Sequence, residues 1–383
     1  MFDVILALTL SFAVSFLAIP VIIRVSAMKK LYDIPDERKV HQAPIPALGG
    51  LGIFAGFCFA ALLIANFQEG KDLQYFLAAA VVIFYLGLKD DIIVISPIKK
   101  FIGQVLAAFI VIYYGNLQIR SMGGFMGIHD LPDTFSLLFT YLTVIVIINS
   151  FNLIDGVDGL AGSLGLLSTC VFGIYFISVG HTADAVFAFS LAGSILAFLI
   201  FNFQPARIFM GDTGSLLIGL INAVLVIKFI NVASNPGILI PIKAAPAVGF
   251  GVLVVPLLDT LRVFAIRMFR RRSPFSPDRN HIHHLLLDNG FSHRAIAIML
   301  LGLNAACIAM AFLFHNIGCT WLMAILVGIF AVLIGIMYYA RQQRPRLFVT
   351  SVKQVEGASL KQEGAKDPKK IVPLTEDAVL QQK

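Results

Sequence analysis

Between Asn149 and Ser163 the chain reads Asn-Ser-Phe-Asn-Leu-Ile-Asp-Gly-Val-Asp-Gly-Leu-Ala-Gly-Ser. Asn152, Asp155 and Asp158 recur every three residues, which brings their oxygens to one side of a turn or helix end. Gly156 and Gly159 between them allow close backbone approach. Long apolar runs flank the stretch, and carboxylates at a membrane edge are costly unless they bind something.

Three further clusters share this character. Gly87-Leu-Lys-Asp-Asp ends an apolar run, so Asp90 and Asp91 fall where the helix dipole disfavours negative charge and a compensating cation is expected. Lys99 and Lys100 follow, either as interface anchors or as phosphate ligands. Asn202 precedes Met-Gly-Asp-Thr-Gly-Ser at 210–215, where Asp212 opens another apolar run. A helix N-terminus there offers N–H groups to phosphate, although Asp212 or Thr213 also suits a simple cap. Asp278 and Arg279 lead into His281, Ile282, His283 and His284, with His293 and Arg294 beyond. No cysteine or HExxH pattern supports zinc, and imidazoles beside arginines suit a nucleotide diphosphate. The loop after residue 30, with Asp33, Asp36, Arg38, Lys39 and His41 among three prolines, reads as polar and shaped. Hard carboxylate oxygens favour Mg²⁺ or Mn²⁺. Metal, carboxylates and cations together describe phosphoryl transfer, in which positioning and charge neutralisation carry the reaction.

The elements that must position these groups are membrane helices. Of 383 residues, 58% are hydrophobic and only 13% charged, with mean hydropathy +0.87. That composition excludes a soluble globule. Eleven apolar runs are predicted to span: 4–23, 47–66, 73–88, 101–115, 134–151, 160–179, 184–202, 215–232, 244–262, 295–315 and 320–340. Lys and Arg concentrate in alternate connections, at 24–39, 89–100, 207, 262–294 and beyond 341, leaving only Lys71, Arg120, Lys228 and Lys243 on the other side. The bias predicts an all-α polytopic membrane protein with its N-terminus outside and its C-terminus cytoplasmic. The net charge of +7 is then a topology signal rather than one for nucleic acid. Residues 1–340 form the membrane domain, and the polar tail 341–383 reads as disordered. Cys58, Cys170, Cys307 and Cys319 lack ligand spacing and read as packing residues. His129, His181 and His315 read as structural. Under this topology all four clusters share the cytoplasmic face. The spans are expected to be unbroken and free of mid-depth charge, which argues against a transporter of phosphorylated lipid or nucleotide.

The motifs Lys-Asp-Asp at 89–91, Asn-Leu-Ile-Asp-Gly-Val-Asp-Gly at 152–159, Met-Gly-Asp-Thr-Gly-Ser at 210–215 and His-Ile-His-His at 281–284 resemble those of the polyprenyl-phosphate N-acetylhexosamine-1-phosphate transferases. The resemblance runs in order over 1–340. It implies an enzyme of the bacterial inner membrane, with its active site on the cytoplasmic face. There a sugar-1-phosphate passes from a UDP-N-acetylhexosamine to undecaprenyl phosphate and UMP is released. His-Ile-His-His, rather than three consecutive histidines and an acid, resembles the N-acetylglucosamine branch more than the muramoyl-pentapeptide branch of peptidoglycan synthesis. That points to O-antigen, common-antigen or teichoic-acid-type glycans. By the same resemblance Asp212 is the main ligand of Mg²⁺ (or Mn²⁺), with Asn152 or Asp155 assisting. Asp90 and Asp91 act on the lipid phosphate, and Asp155 and Asp158 stand in the catalytic wall. His41, Lys99, Asn202, Arg279, His281, His283 and His284 bind substrate. Direct transfer and an aspartyl-phosphate route both stay open, as does pairing with a second copy.

Overall fold

The computed structural model describes residues 1–31, 45–271 and 281–342. His41, Arg279 and the 341–383 tail, apart from the end of the last helix, therefore lie outside the described residues. The predicted runs become helices α1 (Phe2–Lys29), α2 (Gly49–Ile64), α3 (Leu73–Ile92), α4 (Pro97–Phe109), α5 (Asp133–Ile154), α6 (Leu160–Ser178), α7 (Thr182–Asn202) and α8 (Gly211–Ala233). They continue with α9 (Ala245–Val252), α10 (Val254–Phe269), α11 (Ile282–Asp288), α12 (His293–Leu313) and α13 (Cys319–Gln342). Among the described residues eight helices are long and apolar enough to cross a membrane, α4 being carried on to Tyr114 by a π-helical turn, and nine if α9 and α10 count as one bent span. The chain is a multi-pass α-helical membrane protein. The eleven predicted spans exceed that number because α2 is only 16 residues long and α3 ends in Lys89, Asp90 and Asp91.

Helix α8 is the axis of the bundle. It is buried along almost its whole length and packs against α2, α3, α5, α6 and α7. Small residues make this possible. A Cβ on Gly50 would lie 2.2 Å from the backbone nitrogen of Gly214, so α2 and α8 cross backbone to backbone. This tight crossing holds the start of α8 close to the start of α2 and the end of α3.

The predicted ninth span is broken. Helices α9 and α10 meet at Leu253 with an 84° bend. Pro256 lacks the N–H that would close on the carbonyl of Val252. Buried Asn304 of α12 supplies the missing partners: its Nδ2 donates to the Val252 carbonyl at 2.9 Å, and its Oδ1 accepts from the Val255 N–H at 3.1 Å. The expectation of unbroken spans is thus corrected. The bend leaves Asp259 inside α10 rather than at a span end.

The loop expected between α4 and α5 contains the only strands among the described residues. Strand β1 (Ser121–Phe125) pairs antiparallel with β2 (Ile128–Asp130). Met126 and Gly127 both take positive φ, as a two-residue hairpin turn requires.

Candidate active site

Asp90 lies in the last turn of α3 and Lys100 in the first turn of α4, joined by a short link that Pro97 ends by starting α4 at its first helical position. The link folds back because the Ile95 N–H donates to Asp90 Oδ1 at 2.8 Å. Asp90 Oδ2 is then 3.2 Å from Lys100 Nζ. Lys100 also bonds Asp212 Oδ2 at the start of α8 and Asn152 Oδ1 at 3.3 Å near the end of α5. Asn152 Nδ2 in turn donates to Asp212 Oδ1 at 2.7 Å and to Ser215 Oγ at 3.0 Å. Three oxygens from three helices thus converge on one positive charge.

This cluster borders a cavity of about 490 Å³. Asp90, Lys100, Asn152, Asp155, Arg267, His281, His283 and His284 line it. Val94, Pro97, Phe101, Leu153 and Phe264 supply apolar wall. Reciprocal amide bonds between Gln104 and Asn149, at 3.3 and 2.8 Å, tie α4 to α5 at the same cavity. A space of this size with polar and apolar walls suits an amphiphile with a charged head.

Asp155 follows the last residue of α5 and makes no hydrogen bond or ion pair among the described residues. Burial holds its carboxyl well above the usual carboxylate range, and the charges of Asp212, Asp91 and Asp158 add to that. The wall is therefore short of positive charge at Asp155.

The acids divide according to helix geometry. Asp91, next to Asp90 but about 100° round the helix, faces away from the cavity. Its Oδ1 accepts the Asp212 N–H at 2.7 Å and its Oδ2 the Thr213 N–H at 3.0 Å, with the Thr213 hydroxyl also bound. The start of α8, expected to be free for phosphate, is thus capped by Asp91. Gly211 makes room for this cap. Its φ is +69°, and a Cβ there would lie 2.7 Å from either Asp91 oxygen. Asp212 stands beside the cavity rather than on its wall, with 27% of its side chain exposed.

Asp158 and Asn202, expected in the wall and at the nucleotide, lie off the lining of this cavity. Asp158 is buried, with Oδ1 3.5 Å from His293 Nδ1 at the start of α12. Asn202 accepts the Gly159 N–H at 2.8 Å and donates to the Ile208 carbonyl at 2.9 Å, stapling the turn after α5 to the loop before α8. Lys99 is exposed and off the cavity, one helical step from Lys100, which lines it.

The histidines also differ from one another. His281 Nδ1 lies 2.9 Å from Asp259 Oδ2. His283 packs against Gly156, where a Cβ would fall 2.5 Å from its Nε2. Burial pushes His283 from 6.5 down to about 3, with the charge of His284 adding to the effect. Ile282 and Leu285, the positions that set this motif apart, are buried in the core. They shape α11 and do not line the cavity. Asp259, Arg267, Gln104 and Asn149 were not singled out as site residues, since none belongs to one of the four motifs.

Fold and site together describe a polytopic membrane protein with a cavity lined by carboxylates, basic side chains and histidines at its helix ends. Residues 73–230 match the model for glycosyl transferase family 4. The chain is 34% identical over 306 residues to an undecaprenyl-phosphate alpha-N-acetylglucosaminyl 1-phosphate transferase of Yersinia pestis, covering 78% of this chain and 80% of the relative. It is 32% identical over 284 residues to the protein of the same name from Escherichia coli, covering 73% and 75%. A decaprenyl-phosphate N-acetylglucosaminephosphotransferase of Mycobacterium leprae is 34% identical over 297 residues, covering 70% and 72%. The chain belongs to this family of polyprenyl-phosphate N-acetylglucosamine-1-phosphate transferases, and it is a membrane transferase.

Proposed function

We propose that the protein transfers N-acetylglucosamine-1-phosphate from UDP-N-acetylglucosamine to undecaprenyl phosphate, releasing UMP and starting a lipid-linked envelope glycan at the cytoplasmic face of the bacterial inner membrane. The observation that carries this reading is the cavity itself. It brings the Asp90–Lys100–Asn152 cluster, three histidines and apolar side chains to one lining. The names of the relatives support the donor sugar and the lipid. Because Ile282 and Leu285 lie in the core, the His-Ile-His-His pattern supports the sugar only indirectly.

In the reaction an oxygen of the lipid phosphate attacks the β-phosphorus of the donor. The new P–O bond forms as the bond to the bridging oxygen breaks, and UMP takes the electron pair. The attacking phosphate monoester has its second pKa near ~6 and is largely dianionic at neutral pH, so it needs orientation more than deprotonation. Asp90, fixed by Ile95, holds Lys100 at the cavity, where the ammonium offsets phosphate charge. Asp91 fixes the start of α8, and hence Asp212.

The donor set fits a hard divalent cation. Oxygens of Asp90, Asn152 and Asp212 already share one positive charge, and Asp155 lacks one. Among the described residues no three acids or histidines form a closed metal cage. Mg²⁺ does not need one, since it keeps waters and takes substrate phosphates with one or two carboxylates. Asp212, Asn152 and Asp90 would hold it, and it would neutralise charge on the reacting phosphates.

Purified protein given undecaprenyl phosphate, Mg²⁺ and sugar-labelled UDP-N-acetylglucosamine should move label into the organic phase. EDTA or Asp212→Asn should abolish the transfer. Label taken only from UDP-muramoyl-pentapeptide would refute the sugar assignment, and no label from either donor would refute the reaction.

A further inference from the structure

Asp259 belongs to none of the sequence clusters, yet it is among the most completely buried charged residues of the molecule, at 1% exposure. The bend between α9 and α10 places it behind the histidine wall. Its Oδ1 accepts the Ile282 N–H at 2.8 Å and an Arg262 N–H at 3.0 Å. Its Oδ2 faces His281 Nδ1 at 2.9 Å. One carboxylate therefore caps the start of α11 and holds the ring of the residue just before that helix.

The consequence falls on the other ring nitrogen. A carboxylate only accepts, so Nδ1 must carry the proton on that side. His281 lines the cavity at 4% exposure, and its Nε2 is buried with no hydrogen-bond partner. A buried polar nitrogen without a partner, on a residue that lines a cavity, calls for one, and a ligand entering the cavity would supply it. His283 has a different role, because it is packed on Gly156.

We propose that Asp259 is a positioning residue of the transferase: through His281 Nδ1 it fixes the ring so that Nε2 meets a phosphate oxygen of the nucleotide donor. When the ring carries a second proton, Nε2–H donates to that oxygen and the Asp259 carboxylate balances the imidazolium. An uncharged amide at position 259 still caps Ile282 but turns an N–H toward His281. The ring is then held in the opposite tautomer, and no carboxylate remains to balance the imidazolium. This inference rests on the transferase reading above.

The test is a double-variant cycle on the full-length protein in detergent, with donor and lipid acceptor varied separately. Asp259→Asn should lower kcat/KM for UDP-N-acetylglucosamine about 10- to 100-fold, the range for partners that orient an active-site imidazole, and leave the acceptor KM within about twofold. In a His281→Ala background the same change should cost less than about twofold, because its route of action has gone. Losses that multiply, or an Asp259→Asn enzyme with wild-type donor kinetics, would overturn the proposal. Should Asp259→Asn not fold, ¹⁵N-histidine spectra of the wild-type protein decide, with the His281 signals assigned by their loss in His281→Gln. Protonated Nδ1 and an Nε2 shift that moves on adding UDP-N-acetylglucosamine support the proposal. An Nε2–H tautomer, or no response to the donor, refutes it. Wild-type transfer in the same preparation reports separately on the transferase reading.

Discussion

Lys100→Met removes the one positive charge shared by Asp90, Asn152 and Asp212. At 3.2 Å and an effective dielectric of about 20, the Lys100–Asp90 attraction is of order 5 kcal/mol before desolvation. The side chains of Lys100, Asp90 and Asp212 are 18%, 12% and 27% exposed, so water screens them only in part. Loss of one positioned electrostatic group in such a site costs about 100- to 1,000-fold in turnover, or roughly 2.7–4 kcal/mol. We expect kcat for lipid-linked product to fall by that factor, read as organic-phase label at saturating donor. Size-exclusion and thermal unfolding would confirm that the variant is folded. Lys99→Met, one residue away and solvent-exposed, should stay within about twofold of wild type. Equal losses at the two positions would reduce Lys100 to general surface charge, and wild-type turnover in Lys100→Met would refute the assigned geometry.

Three other changes probe the frame around the site. Gly211→Ala drives a methyl into the Asp91 carboxylate at positive φ, and should cost at least tenfold in turnover by dislodging Asp212. Asn304→Leu leaves the Val252 carbonyl and Val255 N–H unpaired at the α9–α10 bend; at roughly 1–3 kcal/mol for each buried orphan, a clear fall in thermal stability in detergent is expected. His283 is held down at about 3 in the folded state against 6.5, so between those values the unfolded chain binds the extra proton. Its contribution is complete above pH 6.5 and is lost as pH falls toward 3, by up to ~1.4 kcal/mol per pH unit. Asp155, shifted upward, acts in the opposite sense, its penalty easing as pH falls. The difference in acid destabilisation between wild type and His283→Gln isolates the histidine, and equal slopes would refute its burial as a neutral ring.

Much of the site was legible from residue type and spacing. Asp90, Asn152 and Asp155 stand out because carboxylates and amides beside glycines interrupt otherwise apolar sequence, and the structure gathers them at one cavity. What spacing did not resolve was direction. Asp90 and Asp91, like Lys99 and Lys100, are adjacent in the chain but about 100° apart on a helix, so only one of each pair reaches the cavity. The His-Ile-His-His run hides a similar division, with one ring on a carboxylate and another packed on Gly156. The bend at Leu253 was masked by uniform apolarity from 244 to 258, where Pro256 was the available hint. Asp259, three residues before Arg262, then looked like a span end. The partners of Asn202 and Asp158 are tertiary, and no local pattern announces them.

The most direct measurement uses a donor labelled twice, with ³²P at the β-phosphate and ³H in the sugar. Attack at the β-phosphorus breaks the link between the two phosphorus atoms, so both labels should enter the lipid product in the donor ratio, with unlabelled UMP left in the aqueous phase. Sugar label alone in the lipid would mean cleavage at the anomeric carbon, and the phosphoryl-transfer reading of this cavity would be wrong.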